Sequence, residues 1–275
     1  MLGRMEIGIT LDGPDLVGRA RFVEELGFES VWLPDLQFGD GTPGVEAVTA
    51  LAVVAGATER VRLGFATLVL PLRPVAWLAT QLSTLQRLSG DRLLLGVGLG
   101  GFPAAPFWRA AGARAQGRGA RADDVLRALP ALLAGRAVPV NATPLRVPPA
   151  TMPPVLVGGN SAAAVDRAVR LGDEWFPSLV GPEEVAARRP AGTPVTVGGH
   201  LFVSGSPDAF VRGLVDDHGM SEVDAAAAPI TLDRLAAYAD AGAHRMVLSV
   251  DAADESRWRA DVTALAARRD RHGLS

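Results

Sequence analysis

The chain repeats one pattern, in which a short apolar run is followed by a longer segment that mixes apolar and polar residues. Short apolar runs are typical of buried strands, and apolar positions spaced three and four residues apart are typical of helices packed on one face. The apolar runs predict strands at 6–10, 30–34, 61–69, 93–99, 155–157, 174–177, 195–203 and 245–250. The segments between them predict helices at 14–26, 43–59, 75–88, 122–133, 162–171, 183–188, 207–217 and 232–241, and Trp258, Val262 and Leu265 share a face of a closing helix.

Eight strands that alternate with helices over 275 residues predict an α/β fold, a (β/α)₈ TIM barrel that forms one domain over residues 1–275. An open doubly wound sheet and a division into two average domains are the alternatives. The stretch from Gly100 to Pro154 is rich in Pro, Gly and Ala, so we expect a short insertion after strand four that contributes to a substrate pocket. Pro130 should kink or shorten its helix, and Thr42 with Pro43 should begin the second helix.

Composition and charge exclude several classes of protein. The net charge of −3 comes from 27 basic and 30 acidic side chains and indicates neither a nucleic-acid partner nor a membrane partner. Lys and Cys are both missing, which excludes Schiff-base lysines, thiolate nucleophiles and disulfides. The four histidines lack the spacing of metal ligands, so no metal is predicted. With neither a signal peptide nor an apolar run long enough to span a bilayer, the chain is predicted to be cytoplasmic.

In a TIM barrel the active site lies where the strands end, so the residues that follow each strand are the candidates for chemistry. Gly96, Gly98 and Gly101 match the spacing GxGxxG, but Pro103 and Pro106 follow where a dinucleotide-binding fold needs a helix. These glycines therefore serve either close backbone packing or the approach of a cofactor.

The segment from Gly158 to Ser161 is the leading phosphate site. Gly158 and Gly159 can expose peptide N–H groups, Asn160 or Ser161 can cap the helix that follows, and a helix N-terminus attracts anions. A tight turn with a capped helix and no ligand is the alternative.

Three other features of the strand ends are open to two interpretations each. Asp35 can polarise a bound molecule or cap the following loop. His200 is the one histidine placed to reach the barrel interior, and it is either a packed core residue or an acid. Three aromatic residues after strand four form either a pocket wall or ordinary core: Phe102, Phe107 and Trp108.

Four stretches, taken in order and spacing, resemble the luciferase-like flavin and deazaflavin oxidoreductases over nearly the whole chain. They are LGFESVWLPD (26–35), RVRLGFATLVLPLRP (60–74), LSGDRLLLGVGLG (88–100) and PPVLVGGNS with LGDEWFP (153–161 and 171–177). The resemblance implies a luciferase-like barrel that binds FMN or coenzyme F420 and often forms a homodimer. It places the cofactor ring at Ala66 and Thr67, near a cis peptide bond, with Gly98 and Gly100 beside it. The phosphate falls at Gly158, Gly159, Asn160 and Ser161, with Asp35 as the catalytic candidate.

The implied activity is that of a monooxygenase or oxidoreductase, in which the reduced cofactor either oxygenates a small organic substrate or exchanges hydride with it. Leu36 stands where many deazaflavin members have His, so the usual proton donor is missing. A barrel that binds flavin or another ligand without turnover is therefore an alternative, and a cofactor-free aldolase or hydrolase is another. The Arg-rich, Lys-free composition is typical of a high-GC source and favours F420 over FMN.

Overall fold

The computed structural model describes residues 5–13, 15–35, 44–101, 106–217 and 219–272, without the side chains of residues 270–272. Eight parallel strands form its centre: β1 (Glu6–Thr10), β2 (Ser30–Leu33), β3 (Arg62–Phe65), β4 (Leu93–Gly98), β5 (Val155–Gly158), β6 (Glu174–Phe176), β7 (Thr196–Leu201) and β8 (Arg245–Val250). Each strand pairs with the next from β1 to β6, and β7 pairs with β8, which pairs with β1. The predicted (β/α)₈ TIM barrel is confirmed.

The ring closes between β6 and β7 through isolated bridges instead of a continuous ladder. Trp175 bridges Val195, and Ser178 bridges Gly198. Pro177 follows β6 and has no N–H group to donate to a neighbouring strand, so it limits the pairing here. The carbonyl oxygen of Pro177 instead accepts the N–H of Gly198 at 2.9 Å.

Helices surround the ring: α1 (Leu16–Glu25), α2 (Ala47–Ala57), α3 (Val75–Ser89), α4 (Arg118–Leu133), α5 (Ala162–Leu171), α6 (Pro182–Arg188), α7 (Asp208–Asp216), α8 (Glu222–Ala227), α9 (Leu235–Asp240) and α10 (Glu255–His272). Helix α3 shows why the pattern works, because Leu78, Leu82 and Leu85 recur at helical spacing and all are buried. Gly90 ends it with φ +69°, a left-handed cap that favours glycine. Among the described residues no helix is long and apolar enough to cross a membrane.

The core has two layers, one between the strands and the helices and one inside the barrel. The inner layer is built from a few large buried side chains: Trp32, Leu94, Leu156, Phe176 and Val247. The rings of Trp32 and Phe176 meet edge to face with centroids 5.5 Å apart. A Cβ atom on Gly64 would lie 2.1 Å from the Trp32 ring, so glycine is required on the neighbouring strand for the indole to fit.

Charged side chains close the opposite end of the barrel from the strand C-termini. Arg245 on β8 has only 2% of its side chain exposed. It forms ion pairs with three carboxylates, from Glu6, Glu29 and Glu174. A buried guanidinium is costly to leave without its partners, so this cluster holds four segments in fixed register.

The prediction of one continuous third strand over 61–69 is wrong. Strand β3 ends at Phe65, and a second short strand, Leu68–Val69, pairs with β4 farther along. The peptide bond between Ala66 and Thr67 is cis, which turns the chain between the two pieces. A 3₁₀ turn, Leu70–Leu72, follows at once.

The region after β4 differs from the predicted insertion. Helix α4 begins at Arg118, packs between α3 and α5, and so is the regular fourth helix of the barrel. Pro130 lies in its last turn, and the helix ends at Leu133, where the apolar pattern predicted its end. What remains as insertion is a short helix, Phe107–Ala110, and an antiparallel hairpin formed by Val138–Val140 and Thr143–Leu145. The apolar pattern does not indicate this hairpin.

Two other helix predictions need correction. Helix α2 starts at Ala47 and not at the predicted residue 43, and Thr42 and Pro43 lie outside the described residues. Its N-cap is Glu46, whose carboxylate accepts the N–H of Thr49 at 2.8 Å. Helix α8 was not predicted, since it is short and its Ala-rich sequence has no clear apolar face.

Candidate functional site

A cavity of about 1220 Å³ opens where the carboxyl ends of the strands meet. This is larger than the common range for small-molecule pockets, so it has room for a cofactor and a substrate together. All nine site residues singled out in the sequence line it: Asp35, Ala66, Thr67, Gly98, Gly100, Gly158, Gly159, Asn160 and Ser161. The fold therefore brings together residues that are up to 126 positions apart.

The segment from Gly158 to Ser161 is shaped by its own hydrogen bonds. Gly159 has φ +124°, a backbone conformation that side-chain-bearing residues rarely adopt. The Asn160 side-chain amide pairs with the backbone of Ser178, donating to its carbonyl at 2.8 Å and accepting from its N–H at 3.1 Å. The Ser161 hydroxyl caps α5 by accepting the N–H of Ala164 at 3.2 Å. The loop is thus held in one conformation from both sides.

This conformation leaves peptide N–H groups free at the start of α5. Within the described part of the chain, the N–H groups of the four residues 160–163 have no hydrogen-bond acceptor. The first N–H groups of a helix point along its axis and attract an anion. Arg118, at the start of α4, also lines the cavity, and its guanidinium has no ion-pair partner among the described residues. The two features make this end of the cavity suited to a phosphate group.

The wall formed by Ala66, Thr67 and Gly98 is unusually close-packed. A Cβ atom on Gly98 would lie 2.3 Å from the Thr67 hydroxyl, and one on Gly158 would lie 2.9 Å from its methyl group. Gly98, one glycine of the GxGxxG match, therefore allows Thr67 to approach closely within the cavity wall. Gly101 differs, because a Cβ atom there would meet nothing within 4 Å.

Asp35 forms local contacts beside this wall. Its two carboxylate oxygens accept the N–H of Val69 and a guanidinium N–H of Arg73, both at 2.9 Å. Its side chain is 7% exposed. Both partners follow the cis peptide bond, so the carboxylate holds that segment against the end of β2 while it lines the cavity. Leu36 lies outside the described residues.

The aromatic residues after β4 support the rim from behind. The rings of Phe107 and Trp108 are 5.1 Å apart, and a Cβ atom on Gly100 would lie 3.0 Å from Trp108. Gly100 has φ +70°, so the rim turns there in a conformation that glycine adopts without strain. Phe102 lies outside the described residues.

The opposite side of the cavity contains an ion cluster that sequence reasoning missed. Arg19 on α1 is buried, and its guanidinium bonds to Asp12 and, at 2.7 Å, to Glu255. It also lies 4.3 Å above the ring of Trp258, a favourable cation–π distance. Burial raises the pKa of Asp12, and the charge of Arg19 only partly opposes this effect. No sequence motif marks Arg19, because its partner Glu255 is 236 positions away.

His200 lies in the same cavity at the end of β7. Burial lowers the pKa of its imidazole, and the carboxylates of Asp251 and Asp12 offset part of that effect. The described residues contain no group of three or more His, Asp or Glu side chains arranged to hold a metal ion. The arrangement therefore offers an anion site at one end and a neutral imidazole among carboxylates at the other.

A family profile described as luciferase-like monooxygenase matches residues 7–193. An uncharacterized protein of Mycobacterium tuberculosis strain H37Rv is 29% identical over 192 residues, which cover 60% of this chain. That match spans 66% of the relative's own length, slightly less than two thirds.

Solved structures with the same fold cover almost the whole chain. One is an F420-dependent secondary alcohol dehydrogenase in complex with an F420–acetone adduct, with a TM-score of 0.75, 14% identity and coverage of 97% of this chain and 99% of that one. Another is the oxygenating constituent of 3,6-diketocamphane monooxygenase from Pseudomonas putida in complex with FMN, with a TM-score of 0.69, 14% identity and coverage of 96% and 98%. At these identities the likeness establishes the fold.

Proposed function

Because the chain belongs to the luciferase-like monooxygenase family, we propose that it is an oxidoreductase that uses reduced FMN or coenzyme F420 on a small organic substrate. The observation that carries this proposal is the set of unpartnered N–H groups at residues 160–163, at a turn whose residues Asn160 and Ser161 line the same large cavity as Arg118. Both cofactors carry a phosphate group that these donors would bind. The two solved structures described above contain F420 and FMN respectively.

The residues present fit a flat ring system as well as a phosphate. Ala66, Thr67 and Gly98 form a wall without large side chains, and Gly100 leaves the rim open. We assign these residues to the cofactor ring and the segment 158–161 to its phosphate. When bound, the cofactor supplies the electrons, and the protein orients it and limits the access of water.

Asp35 is the catalytic candidate of the sequence, and its contacts support a positioning role. A carboxylate that already accepts two hydrogen bonds from the 66–73 segment keeps that segment in place against the ring. Both of its oxygens are engaged by the Val69 N–H and the Arg73 guanidinium, so the carboxylate points at the chain and not at a bound molecule. We therefore propose that Asp35 acts on the cofactor through the wall it holds.

A direct test is to measure absorbance of the purified protein and then to titrate it with FMN and with F420, following fluorescence. We expect one of the two to bind at micromolar concentration or tighter, and the reduced form to be oxidised in the presence of substrate. Binding without oxidation over a broad panel of substrates would support a barrel that holds flavin without turnover. Failure of both cofactors to bind would refute the proposal.

A second copy of the chain is the proposed protein partner. Helices α2 and α3 lie side by side, and α2 has no charged residue. Their outer faces expose Val53 (54%), Trp77 (69%) and Leu88 (75%). Monomeric proteins rarely expose apolar patches of this kind. Helix α2 can approach its own copy across a two-fold axis without charge repulsion, and Gly56, one turn from Val53, leaves room for a large side chain.

A further inference from the structure

The floor of the cavity is a ring of eight residues, one from each strand. Side chains alternate between the two faces of a strand, so a residue two positions beyond an inward-facing one also points into the barrel. Gly198 lies against Phe176 in the inner layer, and His200 is two positions farther along β7. Pro34, Gly158, Ser178 and Ser249 likewise lie two positions beyond the inner-layer residues of their strands, and Gly98 lies four positions beyond Leu94. All eight residues line the cavity: Thr10, Pro34, Ala66, Gly98, Gly158, Ser178, His200 and Ser249.

His200 is the one member of this ring whose side chain titrates near neutral pH. Its imidazole has no hydrogen-bond partner among the described residues, so its ring nitrogens are free to contact a bound molecule. One face of the imidazole packs on Phe210 of α7, with ring centroids 4.6 Å apart. That contact fixes the orientation of the ring without using its nitrogen atoms.

Within the ring of eight residues, His200 lies opposite the wall of Ala66, Thr67 and Gly98 that is proposed to hold the cofactor. Three strands lie between β3 and β7 in either direction around the closed set of eight. A molecule that lies against Ala66 at the end of β3 therefore has His200 across the cavity from it. A bound molecule large enough to span the cavity would contact the Ala66 wall on one side and the imidazole on the other.

The charged groups around His200 allow its imidazole both to accept and to release a proton. The side chains of Asp12, Arg19, Asp251, Asp254 and Glu255 line the cavity on this side, while α7 presents the uncharged Phe210. The charge of Arg19 is taken up by its ion pairs with Asp12 and Glu255. Burial lowers the pKa of His200, which keeps the imidazole neutral and able to accept a proton at neutral pH. The carboxylates would then stabilise the imidazolium that forms.

We propose that His200 is the group that exchanges a proton with the molecules bound in this cavity, in place of the histidine that the sequence lacks after Asp35. The inference rests on the proposed function. In the forward direction a hydroxyl group of the bound molecule loses its proton, the O–H bond breaks, and a new N–H bond forms on the imidazole. In reverse the imidazolium returns that proton to an oxygen. No other member of the floor ring can do this near neutral pH.

The test compares the pH dependence of cofactor binding in three proteins. Dissociation constants for oxidised and reduced FMN and F420 are measured by fluorescence from pH 5 to 9 for the wild type, His200→Gln and His244→Gln. His244 is the matched control, because it lies at the other end of the barrel beside Glu6 and Glu174. The phosphate of the ligand titrates equally in all three. We expect Kd of the wild type and the control to change by about tenfold more across the titration than Kd of His200→Gln.

A second measurement keeps the inference testable if the variant does not fold. The chain has only four histidines, so nitrogen-15 spectra of histidine-labelled wild type resolve each imidazole. The nitrogen-15 signals of His200 should shift when the cofactor binds, while those of His244 should not. A wild type that binds cofactor with no change at His200, or a His200→Gln protein with the wild-type pH profile, would overturn the inference. Failure of the wild type to bind either cofactor would instead refute the proposed function.

Discussion

Replacement of Gly159 by alanine tests the phosphate site through its backbone. At φ +124° an alanine pays a conformational penalty of about 1–3 kcal/mol. The new Cβ atom would lie 3.1 Å from the Cβ of Ala164, which is tight and requires only a small shift. The cost is therefore mainly conformational. If the loop keeps its shape, the free energy of unfolding falls by that amount. If it relaxes, the N–H groups at 160–163 turn away and cofactor affinity falls by about 5- to 150-fold.

The assay combines urea unfolding with fluorescence titration of FMN and F420. The loss in unfolding free energy and the loss in binding free energy should together amount to about 1–3 kcal/mol for Gly159→Ala. Gly101→Ala is the matched control, because Gly101 lines the same cavity and a Cβ atom there meets nothing within 4 Å. Wild-type stability and affinity in Gly159→Ala, or an equal loss in Gly101→Ala, would show that the loop conformation does not build the site.

Three other changes probe the barrel and its surface. Arg245→Met leaves three carboxylates facing each other, so urea unfolding should show a loss of about 3–5 kcal/mol, and a loss below about 1 kcal/mol would contradict the structural role of the cluster. Burial alone would raise the pKa of Glu24, but the N–H groups of residues 59–61, just before β3, donate to its carboxylate and lower that pKa. The stability gained from these bonds is present above the ordinary pKa and is lost as pH falls through the lowered pKa. Glu24→Gln should therefore reduce the dependence of the unfolding free energy on pH in acid. Trp77→Asp should convert a dimer into a monomer in sedimentation velocity, while Val169→Asp, at an exposed site on α5, should not; a wild type that is monomeric at micromolar concentration would refute the dimer.

The fold and the tight turn at 158–161 could be predicted because their signals are local. Gly158 and Gly159 between a strand and a capped helix indicate a tight turn, and Ser161 provides the cap that the structure shows. The strand order follows from the alternation of apolar runs and helical segments. Hydrogen bonds between near neighbours in sequence leave a pattern that can be read from the sequence alone.

The inner layer of the barrel could not be predicted, since strands buried on both faces show no alternation. Strand β2 is buried at all four positions, so nothing in its sequence says that Trp32 points inward and Val31 outward. Arg19 was missed for a different reason. Its position on an amphipathic helix looks like a solvent-exposed arginine, and its burial depends on the docking of α10 at the far end of the chain.

The join between β6 and β7 is held by two bridges, whereas β7 and β8 share a register of six residue pairs. This junction is therefore where the barrel should open first by local unfolding. On one side of that gap Ser178 supports the loop at Asn160, and on the other stands His200. A ligand that contacts both residues would hold this junction closed, so its amides should exchange with deuterium more slowly than in the ligand-free protein.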